Sequence, residues 1–194
     1  MMAVQFGVVG SASGEIPESA KQKARELGRA LHHFGCTVVT GACPGLPDVA
    51  ARAAKEAGAL TVGISPALSL DQHRYVYKSP WDFYDVMIYT GSGLMGREVH
   101  LVRSSVAVVV VGGHSGTLGE FAIAYDEAKL IGCLLGTGGM ADHIPDMIEI
   151  INKDTGADVL SDADPHTLVE RMLRKHEERV QGGVAYRGPI IHDR

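Results

Sequence analysis

Residues 106–120, with the sequence VAVVVVGGHSGTLGE, place a glycine turn and an acid at a spacing that suits anion chemistry. The apolar run has strand length and stops at Gly112, and an amphipathic pattern begins near Thr117, so the segment indicates a buried strand, a turn and a helix start. A helix start offers unpaired backbone N–H groups and the positive end of the helix dipole. The segment therefore predicts phosphate binding, and Glu120, at the end of the first helical turn, adds a carboxylate beside it.

Two more glycine turns follow predicted strands. The turn GSASG contributes Gly10 and Ser11, and the turn TGACPGLPD contributes Gly41 and Gly45. Small residues let a backbone approach a ligand closely, and a serine hydroxyl can add a hydrogen bond. The first turn alone is explained equally well as a tight connection without a ligand. Three such turns at the ends of separate strands favour one shared nucleotide pocket.

The elements that must position these turns alternate strictly between strand and helix. The predicted strands cover residues 4–9, 37–40, 60–64, 86–89, 106–111 and 133–135, and the predicted helices cover 17–34, 46–57, 95–103, 117–131 and 165–180. Repeated strand–helix units with short turns predict an α/β fold, a Rossmann-like doubly wound parallel sheet flanked by helices. We expect a single nucleotide-binding domain over residues 1–180 and a polar C-terminal tail over 181–194.

Residues 65–85 are longer than an ordinary connection in such a fold and contain the aromatic residues Tyr75, Tyr77, Trp81 and Tyr84. Long loops are often functional. The aromatic rings could stack on a base, or they could serve internal packing or dimer contacts. Their pattern does not decide between these roles.

Composition narrows the function classes. The chain has 194 residues, about one domain, and its 23 acids against 18 bases give a net charge of -5, which argues against a nucleic-acid surface. The apolar run at residues 106–111 is far shorter than a membrane span, and residues 1–10 lack the pattern of a secretory signal, so we expect a cytoplasmic protein. Three widely spaced cysteines and nine scattered histidines predict neither a disulfide nor a metal site.

The order of the segments GSASG, TGACPGLPD and GREVHLVRSSVAVVVVGGHSGTLGE resembles the LOG family, which belongs to the Rossmann-like SLOG group often labelled lysine decarboxylase-like. The resemblance runs from residue 4 to about residue 135. Its most specific part is the family turn PGGxGTxxE, preceded at a fixed distance by an arginine. The matching positions are Gly113, Gly116, Thr117, Glu120 and Arg97.

The resemblance implies a phosphoribohydrolase that cleaves the N-glycosidic bond of a nucleoside 5′-monophosphate or a related ribosyl phosphate, with Arg97 and Glu120 as catalytic residues. A carboxylate can stabilise the oxocarbenium character of the ribosyl centre, and an arginine can hold the phosphate or orient the leaving base. The residues expected to bind the substrate and its phosphate are Gly10, Ser11, Gly41, Gly45, Gly112, Gly113, His114, Ser115, Gly116 and Thr117. The resemblance also implies a homodimer or higher homo-oligomer, a small-molecule nucleotide or phosphate-bearing ligand, and no metal or organic cofactor.

The sequence departs from the family pattern at four places. Gly112 replaces a proline, His114 replaces a glycine, and Glu98 replaces the lysine of an arginine–lysine pair. The family's GLMG-type turn becomes GLPD and ends at Asp48. If the backbone at position 114 needs a positive φ, histidine is sterically strained there. The departures favour a second hypothesis, a non-enzymatic carrier of a nucleotide or of the molybdenum cofactor, because molybdenum-cofactor carriers resemble this group. A sensor of signalling nucleotides is a third.

A purely structural role for the two catalytic candidates also stays open. Acids are favoured in a helix's first turns by about 0.3–1 kcal/mol, which alone could account for Glu120. Arg97 could form a structural ion pair with Glu120 or with Asp126. Arg103 is a poorer candidate, since a cation at the end of a helix is favourable for dipole reasons alone.

Overall fold

A computed structural model describes residues 3–183 and contains a single parallel sheet of seven strands. The strands are β1 (Gln5–Gly10), β2 (Thr37–Thr40), β3 (Thr61–Ser65), β4 (Val86–Tyr89), β5 (Ala107–Val111), β6 (Leu130–Leu134) and β7 (Asp158–Asp162). The helices are α1 (Glu18–His33), α2 (Leu46–Ala57), α3 (Gly93–Arg103), α4 (Ser115–Asp126), α5 (Gly139–Ile151) and α6 (Pro165–Gln181). The strand order β4-β3-β2-β1-β5-β6-β7 is that of the predicted doubly wound α/β fold.

The central strand β5 explains why the predicted apolar run forms a buried strand. All five of its residues are fully buried, and their side chains alternate between two cores. Val109 and Val111 face the core made with α1, α2 and α6, whereas Val108 and Val110 face the core made with α3, α4 and α5. Helices therefore cover both faces of the sheet, as a continuous apolar strand requires.

Between β1 and β5 the chain order reverses, which is the point where open α/β sheets bind ligands. The two strands pair in parallel register from Phe6 with Ala107 to Gly10 with Val111. Both end at the same edge of the sheet, where the Ser11 N–H donates to the Val111 carbonyl at 3.1 Å. The turns after β1 and β5 are thereby brought side by side.

The predicted helix over residues 117–131 was wrong at its C-terminal end. Helix α4 ends at Asp126 because Ala128 adopts a left-handed φ of 56° and the Lys129 N–H turns back to the Ala124 carbonyl. The left-handed residue at this end is an alanine, where glycine is usual, so the sequence carries no signal for the end of the helix. The next strand, predicted at 133–135, consequently begins earlier, at Leu130.

Two elements in residues 136–164 escaped prediction. Helix α5 contains Pro145, which lowered its helical signal, and strand β7 lies at the sheet edge with every residue only half-buried. The long segment 65–85 contains a short π-helical turn, Gln72–Val76. Of the predicted tail 181–194, residues 184–194 lie outside the described part. Within residues 3–183, no helix has the length and apolar character needed to cross a membrane.

Candidate functional site

A cavity of about 220 Å³ opens at the carboxyl ends of the strands, and all three glycine turns line it. The predicted site residues that line it are Gly10, Gly41, Arg97, His114, Ser115, Gly116, Thr117 and Glu120. The remaining predicted residues, Ser11, Gly45, Gly112 and Gly113, lie outside this lining. The structure thus brings both proposed catalytic residues and the start of α4 together.

Glycine is required at the turns because they pack against one another. A Cβ on Gly10 would overlap with the Val111 carbonyl, and a Cβ on Gly45 would overlap with the carbonyl of Ser11. A Cβ on Gly41 would overlap with the guanidinium of Arg97. The glycines that were expected to admit a ligand therefore admit neighbouring turns and the arginine, and in this way they shape the cavity.

Within the described part of the chain, some backbone N–H groups of the third turn are bonded, and others are free. The Gly112 N–H donates to the Thr137 hydroxyl at 2.8 Å, and the Gly113 N–H donates to the Ser11 hydroxyl at 2.7 Å. By contrast, the N–H groups of residues 115–117, at the start of α4, have no hydrogen-bond acceptor among residues 3–183. The free donors for an anion are these three groups.

His114 causes none of the backbone strain that a left-handed conformation would bring. Its φ is -125°, whereas Gly112 and Gly113 have φ values of 61° and 112°. The histidine ring is exposed at the cavity wall, with its Cε1 atom 3.9 Å from where a Cβ on Gly14 would lie. The turn thus keeps glycine at the two positions that need it, and the imidazole is available to a ligand.

Arg97 and Glu120 form a buried and loosely coupled pair. The Arg97 Nη1 atom lies 3.5 Å from the Glu120 Oε1 atom, and the side chains are 9% and 8% exposed. The Arg97 Nη2 atom lies 3.7 Å from the Cys43 sulfur, and the Arg97 Nε atom is buried without a hydrogen-bond partner in the described part of the chain. The Nη1 and Nη2 atoms carry two N–H groups each and make one long contact each, so the guanidinium keeps donor capacity for a ligand there.

Burial controls the protonation of Glu120. Desolvation raises the pKa of its carboxyl group to about 7; the charge of Arg97 opposes this rise, and the charge of Glu98 adds to it. A carboxyl group with a pKa near neutrality can both give and accept a proton at physiological pH, which is the property of an acid–base catalyst.

Other candidate interactions are structural. Asp126, the alternative partner of Arg97, forms an ion pair with Lys153 at 2.7 Å, and Arg103 pairs with Glu127 at the same distance. Arg103 and Asp126 are accordingly separate from the cavity.

The aromatic residues of segment 65–85 do not line the cavity. The Tyr84 hydroxyl is 2.7 Å from that of Thr40, and its ring packs against Phe83. Arg74 lies over the Trp81 ring at 4.5 Å from its centroid. Of the roles considered for these aromatic residues, Tyr84 has the one of internal packing. Within residues 3–183 no group of three or more histidine, cysteine or acidic side chains is placed to hold a metal ion.

Sequence reasoning did not assign Cys43 or Glu98 to the site. Both line the cavity, and burial raises the pKa of each. Glu98 was visible only as a departure from the family pattern. Cys43 lay inside the second glycine turn, and its contact with Arg97 depends on a fold that joins residues 54 positions apart.

Comparison with known proteins identifies the family to which this arrangement is related. A family model described as the SLOG cluster4 family matches residues 3–169. An uncharacterized protein of Archaeoglobus fulgidus is 34% identical over 134 residues, which cover 69% of this chain and 82% of that protein.

Solved structures extend the similarity. The molybdenum cofactor binding protein of Rippkaea orientalis is 25% identical with a TM-score of 0.73, and the alignment covers 90% of this chain and 98% of that one. The Moco carrier protein of Chlamydomonas reinhardtii is 29% identical with a TM-score of 0.72, covering 90% of this chain and 99% of that one.

Proposed function

The chain belongs to the SLOG cluster4 family, and from this premise we propose that its cavity binds a phosphate-bearing small molecule. The observation that carries the proposal is a convergence of unused donors. Three free N–H groups at the start of α4 lie at the lining of one cavity together with the guanidinium of Arg97, whose Nη1 and Nη2 atoms each make only one long contact in residues 3–183, at the β1–β5 switch point. Helix N-termini and guanidinium groups are the donors that phosphate oxygens favour.

The ligand that we favour is the molybdenum cofactor, held as cargo by a carrier protein. Two proteins named for binding or carrying it share 25% and 29% identity with nine-tenths of this chain. The donor set fits the phosphate of such a cofactor. A cavity of about 220 Å³ is smaller than typical small-molecule sites of about 300–1,000 Å³, so it takes in part of a cofactor-sized ligand, and the rest extends past the mouth.

The test is ligand retention in wild-type protein and two matched arginine variants. We expect protein purified from cells that make the cofactor to contain molybdenum by elemental analysis and an intact phosphate-bearing ligand by native mass spectrometry. Arg97→Met should lose most of the ligand, whereas Arg103→Met, on the same helix but outside the cavity lining, should retain it. If the wild-type protein neither retains a ligand nor binds ribose 5-phosphate, the proposal fails.

A second candidate function is cleavage of a nucleoside 5′-monophosphate, and the near-neutral pKa of Glu120 beside Arg97 favours it. In this reaction the bond between ribose C1′ and the base nitrogen breaks, and its electron pair leaves with the base. Water forms the new bond to C1′ and loses a proton, and the base is protonated. The Glu120 carboxylate would stabilise the positive ribosyl centre, and Arg97 would orient the phosphate.

Base release separates the two functions. Wild-type protein is incubated with a panel of nucleoside monophosphates, and free base and ribose 5-phosphate are measured by chromatography and mass spectrometry. Hydrolysis that disappears in Glu120→Gln supports the enzyme. Retention of an intact ligand without base release supports the carrier.

A further inference from the structure

Glu98 lines the cavity as a buried residue whose carboxylate interacts with the charge of Arg97 but accepts no hydrogen bond within residues 3–183. The residue is only 6% exposed, and no group in residues 3–183 donates a hydrogen bond to it. It approaches α4 from α3. Its Oε2 atom lies 2.9 Å from where a Cβ on Gly119 would be, and its Oε1 atom lies 3.6 Å from the corresponding position on Gly116. The two glycines of α4 make room for this carboxylate.

The part of the cavity near His114, here called the His114 end, and the part near Glu98, called the Glu98 end, differ in charge. The His114 ring lies beside the first turn, near Gly14, while Glu98 lies on the side of α4 that faces α3. Glu98 also adds negative charge near Glu120, whose pKa it raises. A phosphate dianion at the Glu98 end would be repelled by like charge. The phosphate accordingly suits the His114 end, and the Glu98 end suits a group with hydrogen-bond donors.

A buried carboxylate has a strong requirement for donors. The Glu98 oxygens are not among the buried unpartnered atoms of residues 3–183, so water reaches them in the free protein, and a ligand that displaces this water must supply donors in its place. Two carboxylate oxygens match two parallel N–H groups, the geometry in which a guanidinium binds a carboxylate. The edge of a 2-amino-4-oxopyrimidine ring, as in guanine or a pterin, presents an adjacent ring N–H and amino N–H in the same arrangement. The matching edge of adenine presents an acceptor nitrogen.

Resting on the proposed binding of a phosphate-bearing ligand, we infer that Glu98 is a specificity-determining residue that accepts hydrogen bonds from the adjacent N–H groups of a 2-amino-4-oxopyrimidine ring. The cavity then selects guanine-type or pterin-type ligands over adenine-type ones. Discrimination against adenine-type ligands is strong because their ring acceptor would displace water from Glu98 and leave its carboxylate without a donor.

The test is the relative affinity of wild-type protein for GMP, IMP and AMP, with ribose 5-phosphate as the common reference, by calorimetry at pH 8. We expect GMP to bind about 10- to 100-fold more tightly than AMP. IMP, which keeps the ring N–H but lacks the amino group, should fall between them. If the protein cleaves these nucleotides, the ratio of kcat/KM values replaces the ratio of affinities.

Two variants test whether Glu98 causes the preference for GMP over AMP. Glu98→Gln should bring GMP and AMP within about threefold of each other while ribose 5-phosphate binding is kept, which also shows that the variant folds. Glu149→Gln removes the same charge from an exposed position on α5 and should leave the wild-type ratio unchanged.

The failures are distinguishable. Equal affinity of the wild-type protein for GMP and AMP overturns this inference while ribose 5-phosphate binding upholds the proposed function. A guanine preference that survives Glu98→Gln also overturns the role of Glu98. If no phosphate-bearing ligand binds to wild-type protein, both proposals fall.

Discussion

Replacing Glu120 by glutamine should stabilise the folded protein at pH 8, although it removes one member of a buried ion pair. Burial raises the pKa of this carboxyl group from its ordinary value of 4.5 to about 7. At about 1.4 kcal/mol per pKa unit, the ionised side chain destabilises the fold by about 3 kcal/mol relative to its neutral form. Glutamine resembles the neutral form, so the variant should gain an amount of this order at high pH.

The opposing effect is the loss of a partner for Arg97. Removing one member of a well-formed buried pair usually destabilises a protein by about 3–5 kcal/mol. Here the closest charged atoms are 3.5 Å apart. The raised pKa means that the fold holds the neutral acid beside Arg97 more favourably than the ion pair, since desolvation outweighs the attraction. The gain in Glu120→Gln should therefore prevail.

The assay is urea unfolding followed by circular dichroism from pH 4 to pH 9. Below about pH 4.5 the carboxyl is protonated in both folded and unfolded chains, so the variant and wild type should be equally stable. Between pH 4.5 and about 7 only the unfolded chain releases the proton, so the stability of the wild type falls as the pH rises. The difference in unfolding free energy between variant and wild type grows over this range and is constant above it. Glu149→Gln is the control. A Glu120→Gln variant that is less stable than wild type at pH 8 would refute the reasoning.

Three further substitutions test the packing of the site and the scaffold. Gly41→Ala should displace the overlapping Arg97 guanidinium and weaken ribose 5-phosphate binding by about 10-fold or more, measured by calorimetry; unchanged affinity would contradict the close approach. Gly28→Ala should destabilise by about 1–3 kcal/mol in urea unfolding, because the new Cβ overlaps with the Ala50 carbonyl of α2; a neutral effect would contradict tight α1–α2 packing. Asp85→Asn should reduce stability at pH 6, because hydrogen bonds from Lys55 and from the Thr61 backbone hold the Asp85 pKa below its ordinary value. That loss should shrink as the pH falls through the lowered pKa, and a pH-independent difference would argue against it.

Sequence patterns predicted an element correctly where its apolar pattern matches the burial of its side chains in the fold. Strand β5 was recognisable because five consecutive apolar residues fit only a site buried on both faces. Strand β7 was missed because its polar ends and half-buried side chains resemble a loop. The end of α4 was misplaced because Ala128 adopts a conformation that sequence statistics reserve for glycine or asparagine.

The sequence predicted several of the residues that line the cavity. It did not predict which of their polar groups are bonded within the protein and which are free to bind a ligand. The family resemblance named Arg97 and Glu120, and the structure places them in one cavity. It could not reveal that the N–H groups of Gly112 and Gly113 are already bonded to hydroxyls, since those partners come from distant turns. That Glu98 accepts no hydrogen bond within residues 3–183 likewise depends on how α3 and α4 pack. The homodimer that the resemblance implies stays a prediction.

The proton on Glu120 supplies a last test that separates binding from cleavage. A bound phosphate brings negative charge toward this carboxyl and should raise its pKa further above about 7. Phosphate binding should then take up part of a proton and tighten as the pH falls from 8.5 to 6.5, a range above the phosphate's own second pKa of about 6.

Cleavage needs the ionised carboxylate to stabilise the ribosyl centre, so its rate should rise over the same range in which affinity falls. A carrier shows the first dependence alone, and an enzyme shows both in opposite directions. Calorimetry in buffers of different ionisation enthalpy measures the proton uptake, and base release measures the rate. An affinity for ribose 5-phosphate that is independent of pH would mean that the phosphate lies too far from Glu120 for either role to depend on this acid.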